Sequence, residues 1–391
     1  MQSNAFLYSL PTRIVYGRDT RFQLAERVKE LGLKSLLLVT DKGLRETGIV
    51  EEMETELQAA GIKYSIFDEL SFEPSTGTVE AGVELIKKVQ AEGLIGLGGG
   101  SPLDTAKAMA VLATSGGQVR DYVGMEKLPR PPLPLIALPT TAGTGSEATR
   151  WALITDLEAE EKLAIGCWET MPRYSICDPV LTKTMPPRLT ASTGMDALTH
   201  AVEALININC QPISEAMALQ SIRLIGDNLR RAVARGNNLA ARDGMLMGSL
   251  TAALAFNVTG ITSVHAISHV VGASCGIPHG VANALLLPHV MEYSLMGAPE
   301  RFALIAEAMG EELTGLTTRE RAERSVTAVK GLLEDIGLNQ GLERLGFSKS
   351  MVSGIAEEAL ESASNLLHPR EMDLKTVTAI INRARKGIEA D

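Results

Sequence analysis

The chain of 391 residues contains six histidines, and four of them, His265, His269, His279 and His289, fall within a short segment. His265 and His269 are four apart. So are Asp196 and His200, in the run Gly194-Met195-Asp196-Ala197-Leu198-Thr199-His200, while His279 follows in Pro278-His279-Gly280. Residues four apart on a helix share a face, so each pair can turn two donor atoms toward one point. A carboxylate with several imidazoles is a ligand set for a divalent cation. Residues 244–291 include no Asp, Glu, Lys or Arg, so these histidines belong to a segment suited to burial, and buried polar groups need partners. Spacing leaves open whether His265, His269 or both face the ion.

A second chemistry-bearing pattern lies in the first half. The apolar run Leu94-Ile95-Gly96-Leu97 leads into Gly98-Gly99-Gly100-Ser101-Pro102 and then a helical stretch. A strand that ends in glycines and enters a helix offers backbone N–H groups at a positive helix end, which is a phosphate cradle. Ser101 is placed to cap that helix, with Pro102 at its first position. The pattern differs from G-x-G-x-x-G, because position 101 is Ser. Asp41 directly follows another strand-like run, where an acid can accept from a ribose diol and repel a 2′-phosphate, or can cap the next turn. Thr140, Thr141 and Thr144, among Gly143, Gly145 and Ser146, form a third loop of small residues after a further strand. Loops of this kind converge on one crevice of a parallel sheet.

These residues need a scaffold, and the sequence predicts one. Strands over 35–40, 64–67, 94–97 and 134–139 alternate with helices over 50–60, 79–91 and 103–113, the rhythm of βαβ units and a parallel sheet. After Pro186-Pro187 the β-branched runs give way to helical stripes such as Met217, Ile222, Ile225, Leu229 and Val233, with further stripes at Phe302, Ile305 and Met309 and at Val326, Val329 and Leu333. The expected organisation is an α/β dinucleotide-binding domain over 1–187, with a Rossmann-like sheet, and an all-α domain over 188–391 carrying metal and substrate. The active site is expected in the cleft between them. Aromatic residues are 4%, which argues against a β-sandwich or barrel.

The formal charge of −10 and the lack of a long basic run exclude nucleic acid and anionic membranes as natural partners. Cys167, Cys177, Cys210 and Cys275 form no C-x-x-C pair, which fits a reducing cytoplasm. The first eight residues lack the basic and apolar regions of a leader. The uncharged 244–291 segment could pass for a membrane span, but its histidines, Asn257 and Asn283 fit buried helices around a polar site better.

Taken together these motifs resemble the iron-containing (group III) alcohol dehydrogenase family. One family signature is matched by Ser175-Ile176-Cys177-Asp178-Pro179, Pro186, Thr193-Gly194-Met195-Asp196-Ala197-Leu198 and Glu203, and a second by His265-Ala266-Ile267-Ser268-His269, Gly272 and Pro278-His279-Gly280. The resemblance runs from Pro11 to the last helices. It implies metal ligands at Asp196, His200, His265 and His279, with His269 beside the reacting centre as the catalytic proton relay. It implies contacts to NAD from Asp41, Gly98, Gly99, Gly100, Ser101, Asp104, Thr140, Thr141, Thr144, Lys162 and Leu181, with Leu181 and Phe256 near the nicotinamide and substrate. Val258-Thr259 departs from the pattern of many alcohol-specific members. The implied activity is hydride transfer between NAD(H) and a primary or short-chain alcohol or aldehyde, aided by Fe²⁺, or by Zn²⁺ or Mn²⁺, in a homo-oligomer of two or more copies. A glycerol- or diol-type dehydrogenase is the alternative. A dehydroquinate-synthase-like lyase would call for several Lys and Arg in residues 244–291, which has none.

Overall fold

The β-branched and leucine-rich runs of the first half are strands. The computed structural model describes residues 5–70, 74–159 and 161–388; Met1 to Asn4, part of the stretch read for a leader, lie outside the described residues. Strands β1 (Arg13–Tyr16), β2 (Ser35–Val39), β3 (Lys63–Phe67), β4 (Gly93–Gly98), β5 (Gly124–Met125), β6 (Leu135–Pro139), β7 (Trp151–Asp156), β8 (Glu161–Gly166) and β9 (Tyr174–Cys177) are accompanied by helices α1 (Leu24–Glu30), α2 (Lys42–Arg45), α3 (Ile49–Ala59), α4 (Thr76–Val89) and α5 (Gly100–Ser115).

Six strands form one parallel sheet in the order β1-β9-β6-β4-β2-β3. Successive side chains of β2 serve opposite faces. Leu36 and Leu38 join Val50, Met53, Leu57, Ile95 and Ile136 on one side, while Leu37 and Val39 join Val79, Val83, Ile86, Leu94 and Met109 on the other. Burial on both faces explains the near-continuous apolar runs, and each fully buried leucine contributes about 1.5–3 kcal/mol. The chain leaves β2 toward β3, then crosses back to β4 and proceeds away from it to β6. The connections therefore diverge between neighbours β2 and β4, and ligands of open parallel sheets bind beyond the carboxyl ends of the strands at such a point. Asp41 follows β2 and Gly99 follows β4.

The sequence did not foreshadow the second sheet, β5-β8-β7, whose β7 and β8 pair antiparallel from Trp151↔Gly166 to Asp156↔Glu161. The connection, residues 157–160, reads Leu-Glu-Ala-Glu and holds no Gly, Pro or Asn to announce a turn.

From Pro186 onward the described residues form helices α6 (Pro187–Ile206), α7 (Pro212–Ala234), α8 (Leu239–Thr259), α9 (Ser263–Cys275), α10 (His279–Ser294), α11 (Pro299–Ala308), α12 (Thr318–Asp335), α13 (Val352–Leu360) and α14 (Leu374–Lys386). The packing divides the chain into one unit of residues 10–185 and another that begins at Pro186. Residues 5–9 belong with the helices, where the Tyr8 hydroxyl donates to the Leu254 carbonyl at 3.3 Å. The predicted stripe of α7 is buried at Ile222, Ile225 and Leu229, while Met217 and Val233 at its ends are partly exposed. Among the described residues no single helix is long and apolar enough to cross a membrane. Only α8 and α9 together would suffice, and they are bent by 104° at their break.

Candidate functional site

Helix α6 carries Asp196, His200 and Glu203 at positions i, i+4 and i+7, all on one buried face. Helix α9 supplies His265 and His269, and α10 starts at His279. The elements meet closely: a Cβ added to Gly280 would overlap the Ser192 carbonyl of α6 and approach Asp196 Cβ at 3.4 Å. This contact sets His279, the neighbour of Gly280, beside Asp196.

Around Asp196 Oδ1 stand His279 Nε2 at 3.4 Å, His265 Nε2 at 3.8 Å and His200 Nε2 at 4.0 Å. Ligand atoms about 2.1 Å from a four-coordinate ion stand about 3.4 Å apart, so the spacing suits a divalent cation. Donor atoms of Asp196, His265 and His279 all lie within 4.8 Å of one another. His200 flanks them, its ring stacked between His265 at 4.6 Å and Phe256 at 4.2 Å.

The question that spacing left open turns on Glu203. Its carboxylate accepts from the Thr262 N–H at 3.0 Å, the Thr262 hydroxyl at 2.7 Å and the Val264 N–H at 2.7 Å, and pairs with His265 Nδ1 at 2.6 Å. An Nδ1–H held by a carboxylate leaves the Nε2 lone pair to face the cluster, the carboxylate–histidine arrangement found behind metal ligands. His269, partly exposed, packs edge-on to His265 at 5.7 Å and stacks on His279 at 5.2 Å. The structure thus brings His265 into the cluster and sets His269 alongside.

Charge follows from burial and neighbours. Burial would push the Asp196 carboxyl up, but His200, His279 and His265 outweigh it and hold it well below the ordinary carboxylate range. Burial lowers His200 to about 4. It would also lower His265, yet Glu203 and Asp196 raise that imidazole to about 9. Glu203, against its own burial, is lowered to about 2 by His265 and the Thr262 donors. Binding of a cation at His265 Nε2 therefore releases a proton.

Asn283, one turn after His279 on α10, completes the cluster, its Nδ2 lying 2.7 Å from Asp196 Oδ1 and 3.1 Å from both His265 Nε2 and His279 Nε2. Asn283 Oδ1 and His200 Nδ1 are buried without a hydrogen-bond partner. Sequence reasoning gave neither Asn283 nor Glu203 a role. The available signal was position: Asn283 is four after His279, and Glu203 is three after His200.

The second group of residues lies at the carboxyl ends of β2, β4 and β6. Helix α5 begins at Gly100, capped by Gly99 without a side-chain bond. Ser101 is therefore inside the first turn and not at the cap, and Pro102 is the third helical residue. Three glycines in succession let the helix start as soon as the strand ends, and the first N–H groups keep no capping side chain, as an anion cradle requires. Gly98 has φ +151°, and a Cβ there would meet Pro102 Cγ at 2.5 Å. Cβ atoms on Gly99 and Gly100 would stand 3.1 Å from Thr141 Cγ2 and 2.9 Å from Thr144 Cγ2, so the loops after β4 and β6 touch. The Thr140 N–H donates to the Gly98 carbonyl at 2.9 Å.

Asp41, partly exposed, caps α2 by accepting from the Leu44 N–H at 2.8 Å. Asp104 accepts from the Ser146 hydroxyl at 2.5 Å and the Leu153 N–H at 3.1 Å. Burial pushes its carboxyl up, opposed by Lys107 and by Lys162 of β8. Leu181, 1% exposed, is packed in the apolar cluster with Ile176 and Leu138. Beside Asp104 the sequence gave no warning of two buried groups. Burial lowers the Lys107 ammonium to about 8 and raises the Glu147 carboxyl to about 7.

Comparison with known proteins meets this geometry from the other side. Residues 11–179 match the family described as iron-containing alcohol dehydrogenase, and residues 190–385 match the C-terminal part of the Fe-containing alcohol dehydrogenase family. The chain is 43% identical over 386 residues to 1,3-propanediol dehydrogenase of Klebsiella pneumoniae, covering 98% of this chain and all of the relative. It is 36% identical to NAD-dependent methanol dehydrogenase of Bacillus methanolicus, over 96% of this chain and 99% of the relative. A crystal structure of 1,3-propanediol oxidoreductase superposes with a TM-score of 0.96 at 43% identity, over 97% of this chain and 100% of that one. Similarity of this extent, running through both units, leaves one conclusion: the chain belongs to the iron-containing alcohol dehydrogenase family and is an NAD-dependent oxidoreductase.

Proposed function

We propose that Asp196, His200, His265 and His279 hold the divalent ion that the family implies, Fe²⁺ by preference, and that NAD(H) occupies the loops after β2, β4 and β6. The substrate is a short-chain primary alcohol or its aldehyde. The observation that carries this reading is the convergence of Asp196 Oδ1, His265 Nε2 and His279 Nε2 in a buried cluster, with Glu203 aiming the His265 lone pair. When bound, the ion supplies Lewis acidity at the substrate oxygen and the nicotinamide exchanges the hydride. Asp196 supplies the single negative charge among the proposed ligands, so a net positive charge remains on the substrate side. Neutral His200 and the Glu203-held His265 present fixed lone pairs. His269, partly exposed beside His279, passes a proton between the substrate oxygen and solvent through its ring nitrogens. Asp41 meets the adenosine ribose and repels a 2′-phosphate, while Gly98, Gly99, Gly100, Ser101, Thr140, Thr141 and Thr144 cradle the pyrophosphate, and Asp104, Lys162 and Leu181 complete the cofactor site.

A diol substrate is the second reading, favoured by 43% identity to a 1,3-propanediol dehydrogenase. Apoenzyme reloaded with Fe²⁺, Zn²⁺ or Mn²⁺ and assayed for NADH oxidation with propanal and 3-hydroxypropanal tests both. A preference of tenfold or more for 3-hydroxypropanal selects the diol reading, and no turnover with either aldehyde under any ion rejects the proposal. His265→Ala and His279→Ala lose the ion, whereas His269→Ala keeps it and loses about 10²-fold in kcat; the reverse pattern for His265 and His269 rejects the assignment. The working form in this reading is a homo-oligomer, and its compartment a reducing cytoplasm, the latter supported by four cysteines outside any disulfide.

A further inference from the structure

Asn283 stands where two roles compete. Its Nδ2 donates to Asp196 Oδ1 at 2.7 Å and stands 3.1 Å from the Nε2 atoms of both His265 and His279. Its Oδ1 is buried with no partner, and the residue itself is fully buried. A buried amide crowded by three polar atoms on one end and bonded to nothing on the other is poorly matched to its surroundings. Those three atoms belong to the same three residues that could hold a cation, and the amide group and the ion cannot both lie against them at once.

We propose that Asn283 is a placeholder for the cation. In the metal-free protein its amide donates to Asp196 and stands against the two imidazole nitrogens, and it must turn away for the ion to enter. Since Oδ1 has no bond to break, the turn costs only the donor bonds that the ion replaces. Asn283 thereby sets the metal affinity by stabilising the metal-free state. This role differs from that of Glu203, which holds a ligand by its far nitrogen and acts in the loaded state.

The inference rests on the proposed metal site, and the test separates the two. Wild type, Asn283→Ala and Asn283→Leu are stripped with a chelator, and Zn²⁺ affinity is measured by competition with a chromophoric chelator, alongside thermal unfolding of the stripped and loaded forms. Failure of the wild type to bind Zn²⁺ stoichiometrically overturns the metal site itself. With binding intact, the placeholder role requires both variants to bind Zn²⁺ about tenfold more tightly. Their stripped forms should also melt several degrees lower than stripped wild type, while the loaded forms melt close to loaded wild type. Unchanged or weaker Zn²⁺ binding in both variants overturns it and makes Asn283 a support of the loaded cluster. Should Asn283→Ala fail to fold, Asn283→Leu, which keeps the branched side-chain shape without its polar atoms, decides alone.

Discussion

Under the proposed assignment, Glu203 decides which histidine serves the metal. It takes four hydrogen bonds, from Thr262, Val264 and His265, so its replacement frees the His265 ring to adopt either tautomer. Glu203→Gln keeps the shape and removes the charge, and metal affinity should fall about 10–100-fold, measured by chelator competition; an unchanged affinity would show that the ring is held by packing alone. His289 offers a different residue-scale test. It is 4% exposed, both ring nitrogens lack partners, and burial, with Arg383 and Lys330 nearby, lowers its pKa to about 3 from an ordinary 6.5. The folded protein therefore binds this proton less readily than the unfolded chain. Its stability is intact above pH 6.5 and is lost as pH falls from 6.5 toward 3, by at most about 1.4 kcal/mol per pH unit for one proton. His200 and His368, lowered to about 4, act with the same sign, so the difference between variants isolates His289. His289→Leu should flatten the pH dependence of urea unfolding between pH 7 and 5, and equal slopes in both proteins would discount the buried imidazole.

At the scale of elements, the site depends on how near α10 can come to α6. Gly280 permits an approach that no Cβ allows, so Gly280→Ala must push the start of α10 away and carry His279 with it. Expected are about 1–3 kcal/mol of lost stability and metal binding weakened tenfold or more, read by urea titration and chelator competition; retained affinity would mean that His279 reaches Asp196 without this contact. The same elements show what the sequence could tell. Strands β2, β4 and β6 were legible because apolar runs buried on both faces end at Asp, Gly or Thr loops, and α6 because Asp196 and His200 repeat a helical interval. The edge strand β1 is partly exposed along Ile14, Val15 and Tyr16, and β9 has four residues, too short for a period to register. His265 could not be told from His269 by spacing, because the proposed distinction rests on a carboxylate on α6 more than 60 residues away in the chain. Asn283 was hidden for another reason: an amide acquires meaning only from its neighbours, here Asp196 of α6, His265 of α9 and His279 of its own helix.

For the whole molecule, the two candidate ligand sets lie in separate packing units. Asp196, His200, His265 and His279 all belong to the unit that begins at Pro186, and Asp41, Gly99, Gly100, Thr141 and Thr144 all belong to residues 10–185. Each ligand should therefore protect its own backbone in hydrogen exchange. Zn²⁺ or Fe²⁺ should slow exchange in α6, α9 and α10, and NAD⁺ should slow it in the loops after β2, β4 and β6, since a ligand that binds only the folded state stabilises what it touches. Protection by the metal confined to residues 10–185 would refute the assignment of both sets. The clustering of Asp196, His265 and His279 also bears on durability. From residue 196 the chain runs out through α7 and α8 and returns through α9 to residue 279, so an ion held at both ends acts as a cross-link around that long loop and reduces the freedom of the unfolded chain. The working life of the enzyme is then governed by the residence time of its ion. Slow dissociation into a chelating environment would inactivate the enzyme until the ion is restored, and ageing of a preparation would follow the off-rate of the metal.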